Sequence, residues 1–216
     1  RVYGSTKRYP IWDTEFGYIT TPPKHDNQVE QGGQRYPWVT QQTAAYYLNW
    51  AEYLSWKNPR VASFFQYLLQ DYEAPLRSND YGGFASGLVN YGGSHKPGYY
   101  AWRVPLYLPV TSARKGHTLE VWGCPRPARF AALDTGAPQS VQIQFEAGGQ
   151  RAYSTLQTVP LPGAARSCYF DIRVAFPGRG TVRLAWNYPS ADSQLDYFDP
   201  VESHTAYSRE VQVSVR

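Results

Sequence analysis

The chain has 216 residues, of which 18% are charged and 16% aromatic, and its formal net charge is +4. That profile excludes a disordered chain and allows one large domain or two small ones. There is no basic arm, cluster or stripe of the kind nucleic-acid binders carry, and no apolar run long enough to span a membrane.

In chain order, residues 9–18 predict a strand, and the loop from Thr20 to Pro37 is broken by Pro22-Pro23 and Gly32-Gly33. Thr40 reads as a helix N-cap. Ala44, Tyr47, Leu48, Ala51 and Leu54 then recur at helical spacing through Trp56, and Asn58-Pro59 ends the helix. The near-continuous apolar run from Arg60 to Leu69 predicts a strand buried on both faces. Strand, helix, strand implies a parallel crossover unit. A loop rich in Gly, Asn and Ser follows from Ala74 to His95, interrupted by a short segment, Phe84 to Val89. Lys96-Pro97 opens a second predicted helix through Tyr107, with a kink or stop near Val104 because Pro105 lies inside it.

Pro109 to Gly116 reads as a linker. Short alternating segments follow: 118–123, 140–146, 153–159, 169–176, 181–186 and 211–215. Val141/Ile143/Phe145 and Val182/Leu184/Trp186 alternate with polar residues, which predicts an antiparallel β-sandwich over residues 110–216. Cys124 and Cys168 fit either one disulfide and an extracellular setting or two independent buried thiols. The four histidines (His25, His95, His117 and His204) show no metal-ligand spacing. Asp192, Asp196 and Asp199 fit a solvated acidic loop better than a calcium site. No cofactor is expected. A chain without Met that begins at Arg1 is expected to be a processed or partial product, and no signal peptide is visible.

The chemistry concentrates at the first strand. Alternation would place Ile11, Asp13 and Glu15 on one face, with Glu15 at the carboxyl end, where sheet-based enzymes hold reactive groups. Aromatic neighbours such as Tyr18 and Trp38 suit stacking on sugar rings, and Gln66, Tyr67 and Asp71 end the next predicted strand. Each has a structural alternative. Glu15 could make a structural hydrogen bond or helix-end contact, Gln66 could satisfy backbone groups, Trp38 could fold its loop onto the helix, and Tyr67 could pack in a core.

Trp12-Asp13-Thr14-Glu15-Phe16-Gly17-Tyr18-Ile19-Thr20-Thr21-Pro22-Pro23 resembles the seventh-strand motif of (β/α)8 retaining glycoside hydrolases. The similarity is to cellulase-like and β-xylosidase-like members of the clan with catalytic glutamates on strands four and seven. It continues through the Tyr47–Asn58 helix, Pro59-Arg60-Val61, Gln66-Tyr67-Leu68-Leu69-Gln70-Asp71, Ser86-Gly87-Leu88 and Lys96-Pro97. The resemblance implies a partial TIM barrel over 1–109, its last two β/α units, followed by an immunoglobulin-like sandwich over 110–216. It makes Glu15 the nucleophile acting on a β-linked glycoside, in a secreted protein; Tyr18, Trp38, Gln66, Tyr67 and Asp71 are the candidate substrate contacts. The elements matching strands one to six, including the acid/base, have no counterpart here. Asp71 or Glu73 could stand in for that acid, but the family does not use the position. The chain alone is therefore expected to be inactive. Its open barrel edge is expected to be covered by the missing segment or by a second copy. The competing reading is a non-catalytic carbohydrate-binding or assembly module that retains a barrel remnant.

Overall fold

The computed structural model describes residues 6–21, 28–31, 34–72, 85–188 and 205–216. The chain divides into two compact units, Arg1–Tyr99 and Tyr100–Arg216. It mixes α and β structure and is mostly strand. Glu73, His25, His204, Gly82-Gly83 and the aspartates at 192, 196 and 199 lie outside the described residues.

The first unit begins with β1 (Ile11–Phe16), β2 (Thr20–Thr21), β3 (Gln28–Gln31), β4 (Gln34–Pro37) and β5 (Val39–Thr40). α1 (Gln41–Lys57) follows. Thr40 caps it, its hydroxyl oxygen accepting from the Thr43 amide at 3.1 Å, which satisfies one of the donors a helix start leaves open. Asn58 closes it, its amide donating to the carbonyls of Leu54 and Ser55. Next come β6 (Val61–Gln66) and α2 (Pro97–Arg103), the helix in which the division between the units falls. β1 and β6 pair in parallel across the α1 crossover, β2 pairs in parallel with β5, and β3 with β4 form an antiparallel hairpin.

Two expectations need correction here. Register shifts fall between Ile11 and Trp12 and between Asp13 and Phe16, so strict alternation does not carry Ile11, Asp13 and Glu15 onto one face. β6 is not buried on both faces: Phe65 is 52% exposed, and Leu69 just beyond it is 69% exposed. Among the described residues β6 and β1 form a two-stranded sheet, and these side chains have no layer packed over them to complete the burial. Ile11 and Trp12 on β1 are likewise exposed. Parallel sheets are ordinarily covered on both faces, so this pair presents apolar surface that such a sheet normally hides.

α2 ends at Arg103, ahead of Pro105, so the predicted stop lies where proline would otherwise remove a helical hydrogen bond. Leu106-Tyr107, read from sequence as the end of that helix, is a strand instead. The second unit comprises β7 (Leu106–Tyr107), β8 (Ser112–Ala113), β9 (Thr118–Gly123), α3 (Pro127–Thr135), β10 (Gln139–Ala147), β11 (Ser154–Leu161), β12 (Phe170–Ala175), β13 (Gly180–Asn187), β14 (Thr205–Tyr207) and β15 (Val211–Val215). One sheet runs β11-β10-β13-β15-β8 with β14 also on β13, and the other runs β12-β9-β7. All these pairings are antiparallel except β8 with β15, which is parallel.

Leu119, Val121, Phe170 and Val174 from one sheet share a buried core with Val141, Ile143, Phe145, Leu184 and Trp186 from the other. Each fully buried aliphatic side chain of this kind contributes roughly 1.5–3 kcal/mol. Cys124 and Cys168 form a disulfide with Cα atoms 4.8 Å apart. They follow and precede β9 and β12, whose register pairs Gly123 with Phe170 and so brings the two cysteines together.

Candidate functional site

The candidate site lies at the carboxyl ends of β1 and β6. The Phe16 carbonyl accepts from the Tyr67 amide at 2.7 Å, which fastens the residue after Glu15 to the residue after Gln66. Glu15 is exposed, and its carboxylate makes no hydrogen bond or ion pair among the described residues. Tyr18 packs its ring against Phe16 at 5.3 Å and Tyr47 at 5.4 Å. Burial first and Tyr47 second raise the pKa of its hydroxyl above the usual tyrosine value.

Gln66 and Tyr67 are woven into the backbone. The Gln66 amide donates to the carbonyls of Tyr67 at 2.9 Å and Ser86 at 2.7 Å, so both its N–H groups are taken and Oε1 is left to accept. Ser86 Oγ donates to the same Tyr67 carbonyl at 2.6 Å. The Tyr67–Leu68 peptide is cis.

Gly17 sits inside this knot. A Cβ there would stand 2.5 Å from the Tyr67 carbonyl oxygen and 3.0 Å from Ser86 Cβ. Backbone cannot retreat as a flexible side chain can. Gly17→Ala is therefore expected to destabilise the first unit by about 1–3 kcal/mol. Loss of amide-exchange protection at Tyr67 measures this; protection equal to the parent's would show that the loop absorbs the methyl group.

Asp71 and Trp38 are placed differently from these four. Asp71 is buried, its Oδ1 accepting the Gly87 amide at 2.9 Å and its Oδ2 pairing with Lys96 Nζ at 2.7 Å. Both oxygens thus hold the chain's own groups. Lys96, 2% exposed, also donates to Thr20 Oγ1 at 3.3 Å and the Ala85 carbonyl at 3.2 Å. Burial pulls its pKa below the ordinary lysine value, opposed by the hydrogen bond and charge of Asp71. Trp38 is 8% exposed, so its ring is not offered to solvent. The Asp71–Lys96 pair was not foreseen: the notable sequence signal at Lys96 was only that it precedes a helix-opening proline.

A small cavity of about 20 Å³ lies behind the strand ends, lined by Tyr18, Thr20, Gln41, Gln66, Ser86 and Lys96 among others. It has about the space of a single water, so it is not a sugar subsite. Together these contacts hold an uncommitted carboxylate and a tyrosine beside a rigid backbone cluster at the end of a parallel strand pair. Such a carboxylate can act as a nucleophile or stabilise positive charge. Hydrolysis of a glycosidic bond ordinarily needs a second carboxyl across the scissile bond, and Asp71 is already engaged.

No protein-family model matches the chain, and no curated protein does either. Among solved structures, the chain is similar to a putative superoxide reductase from Thermotoga maritima at 8% identity and TM-score 0.34, over 52% of this chain and 85% of that one. It is similar to a superoxide reductase (neelaredoxin) from Ignicoccus hospitalis at 10% identity and TM-score 0.34, over 52% and 80%. It is also similar to Bacteroides uniformis β-glucuronidase 2, a glycoside hydrolase, at 12% identity and TM-score 0.33, over 96% of this chain and 22% of that one. At such TM-scores none of the three bears on what this chain does.

Proposed function

We propose that the first unit is the closing part of a (β/α)8 retaining glycoside hydrolase, with Glu15 as its nucleophile. The second unit is an appended immunoglobulin-like sandwich. The observation that carries this reading is the exposed, uncommitted Glu15 carboxylate at the carboxyl end of a parallel β-strand, beside Tyr18, Gln66 and Tyr67. In the proposed reaction Glu15 attacks the anomeric carbon of a β-linked glycoside and displaces the leaving oxygen. A glycosyl ester forms, which water then hydrolyses. An acid/base carboxyl about 5–5.5 Å away protonates the leaving group and later deprotonates the water. That group belongs to the further parallel strands that would cover the apolar surface at Ile11, Trp12 and Phe65. The disulfide suits a secreted protein.

The test is covalent labelling. A 2-deoxy-2-fluoro β-glycoside with a dinitrophenolate leaving group needs no acid assistance to depart. Incubated with the 216-residue chain, it is expected to esterify Glu15, as read by intact mass and peptide mapping. A plain aryl β-glycoside is expected not to turn over. Labelling elsewhere, or labelling that persists in Glu15→Gln, sinks the assignment. Sustained turnover of the plain glycoside by the chain alone removes the need for further strands.

A further inference from the structure

The outward face of the larger sheet in the second unit is ordered by hydrogen bonds and ring contacts between side chains. Val141, Ile143 and Phe145 point into the core, so Gln142, Gln144 and Glu146 point away from it. Thr155 Oγ1 donates to Gln142 Oε1 at 3.2 Å, Gln144 Nε2 donates to the same oxygen at 2.9 Å, and Arg183 Nε donates to Gln144 Oε1 at 2.9 Å. This chain of hydrogen bonds crosses β11, β10 and β13. The Arg183 guanidinium lies 3.8 Å from the centre of the Tyr153 ring and 4.0 Å from that of Tyr207, a geometry that fixes both rings. Tyr207 keeps 38% of its surface exposed.

At the end of the same strands is an open cleft of about 560 Å³, lined by Glu146, Gln150, Arg179, Thr181 and Gln212 around the 147–149 turn. Gln212 Nε2 donates to Thr181 Oγ1 at 2.7 Å. Glu146 and Thr181, which line the cleft, face each other across β10 and β13 two residues along from the Gln144–Arg183 pair, so cleft and face are continuous. The volume falls within the range usual for ligand sites.

We propose that this face and its cleft form a binding site for a neutral polysaccharide. The surface offers amides and hydroxyls held in fixed positions. The network uses Gln142 only through its oxygen, so both its N–H donors remain for ligand hydroxyls. The Tyr207 ring, its orientation set by Arg183, supplies an apolar face for the C–H side of a sugar. Charge is balanced: Arg179 and Arg183 stand among Glu146 and Glu210, so nothing here favours a polyanion. The site lies wholly in the second unit and does not depend on the reading of Glu15.

The test is affinity electrophoresis of the 216-residue chain in gels containing soluble xylan, glucomannan, mixed-linkage β-glucan or polygalacturonate. At least one neutral polymer is expected to retard the chain. Gln142→Ala and Tyr207→Ala are each expected to weaken that binding about tenfold or more, equivalent to ~1.4 kcal/mol, at unchanged melting temperature. Glu15→Gln is expected to leave it unchanged. Should Tyr207→Ala unfold, Gln142→Ala alone decides, since it changes one outward side chain. No retardation by any neutral polymer, or retardation by polygalacturonate alone, overturns the proposal. So does binding that survives Gln142→Ala. Binding lost on Glu15→Gln but kept by the sheet variants would place the sugar on the first unit, overturning this site while leaving the glycosidase reading intact.

Discussion

Replacing Lys96 with methionine is expected to cost the first unit about 3–5 kcal/mol. Its ammonium is buried, and its three N–H donors meet Asp71, Thr20 and the Ala85 carbonyl. Methionine keeps much of the volume and removes every one of those bonds. Asp71, whose side chain is 11% exposed, is then left without its counter-charge. Breaking one side of a buried pair costs more than removing both, because the survivor retains its desolvation penalty. The double variant Lys96→Met/Asp71→Leu is therefore expected to recover a large part of the loss. Since the chain has two units, amide-exchange protection at Gly87 and Val89 is a better measure than a single melting curve. A loss below ~1 kcal/mol in the single variant, the range of exposed pairs, would mean that water reaches the ammonium. The pair matters to the site because Thr20, Asp71 and Ala85 lie on the segments that follow β1 and β6. Loosening them frees the Gly17–Tyr18 turn that holds Glu15 in place.

Removing the disulfide is the second large effect. Cys124 and Cys168 are separated by 44 residues, and the chain-entropy relation gives about 4 kcal/mol for a loop of that length. Both cysteines are buried, so serine at both positions would add hydroxyls to an apolar setting. Cys124→Ala/Cys168→Ala isolates the cross-link better. The expected result is reduced exchange protection across β9 and β12, with β10 and β13 less affected. A double-alanine variant as stable as the parent would show that the β9–β12 ladder already confines the unfolded loop.

Much of the fold is legible in the sequence wherever one face is buried and the other solvated. Val141/Ile143/Phe145 and Val182/Leu184/Trp186 reveal β10 and β13 because period-two burial leaves no other arrangement. Thr40 and Asn58 bracket α1 because unsatisfied helix ends demand partners. α3 was not foreseen, although proline is well tolerated at a helix start and Gly136 ends the helix with φ of 64°. β7 was missed because two residues carry no periodicity.

Legibility was lower at the site. Glu15, Tyr18, Gln66 and Tyr67 lie at one end of the β1–β6 pair because the two strands are parallel, which strand–helix–strand order announces. The register shifts that turn Glu15 out of simple alternation have no sequence signature. Nor does the Asp71–Lys96 pair, which depends on a contact across 25 positions of chain.

The parallel pairing of β8 with β15 has a consequence for how the second unit is made. Ser112 lies beside Ser214 and Ala113 beside Val215, and the Arg216 amide donates to the Ala113 carbonyl. During vectorial synthesis β8 emerges early and waits on the order of a hundred residues for its neighbour. Pairing at that separation is slow to find, so β8 remains an unsatisfied edge while the rest of the unit condenses.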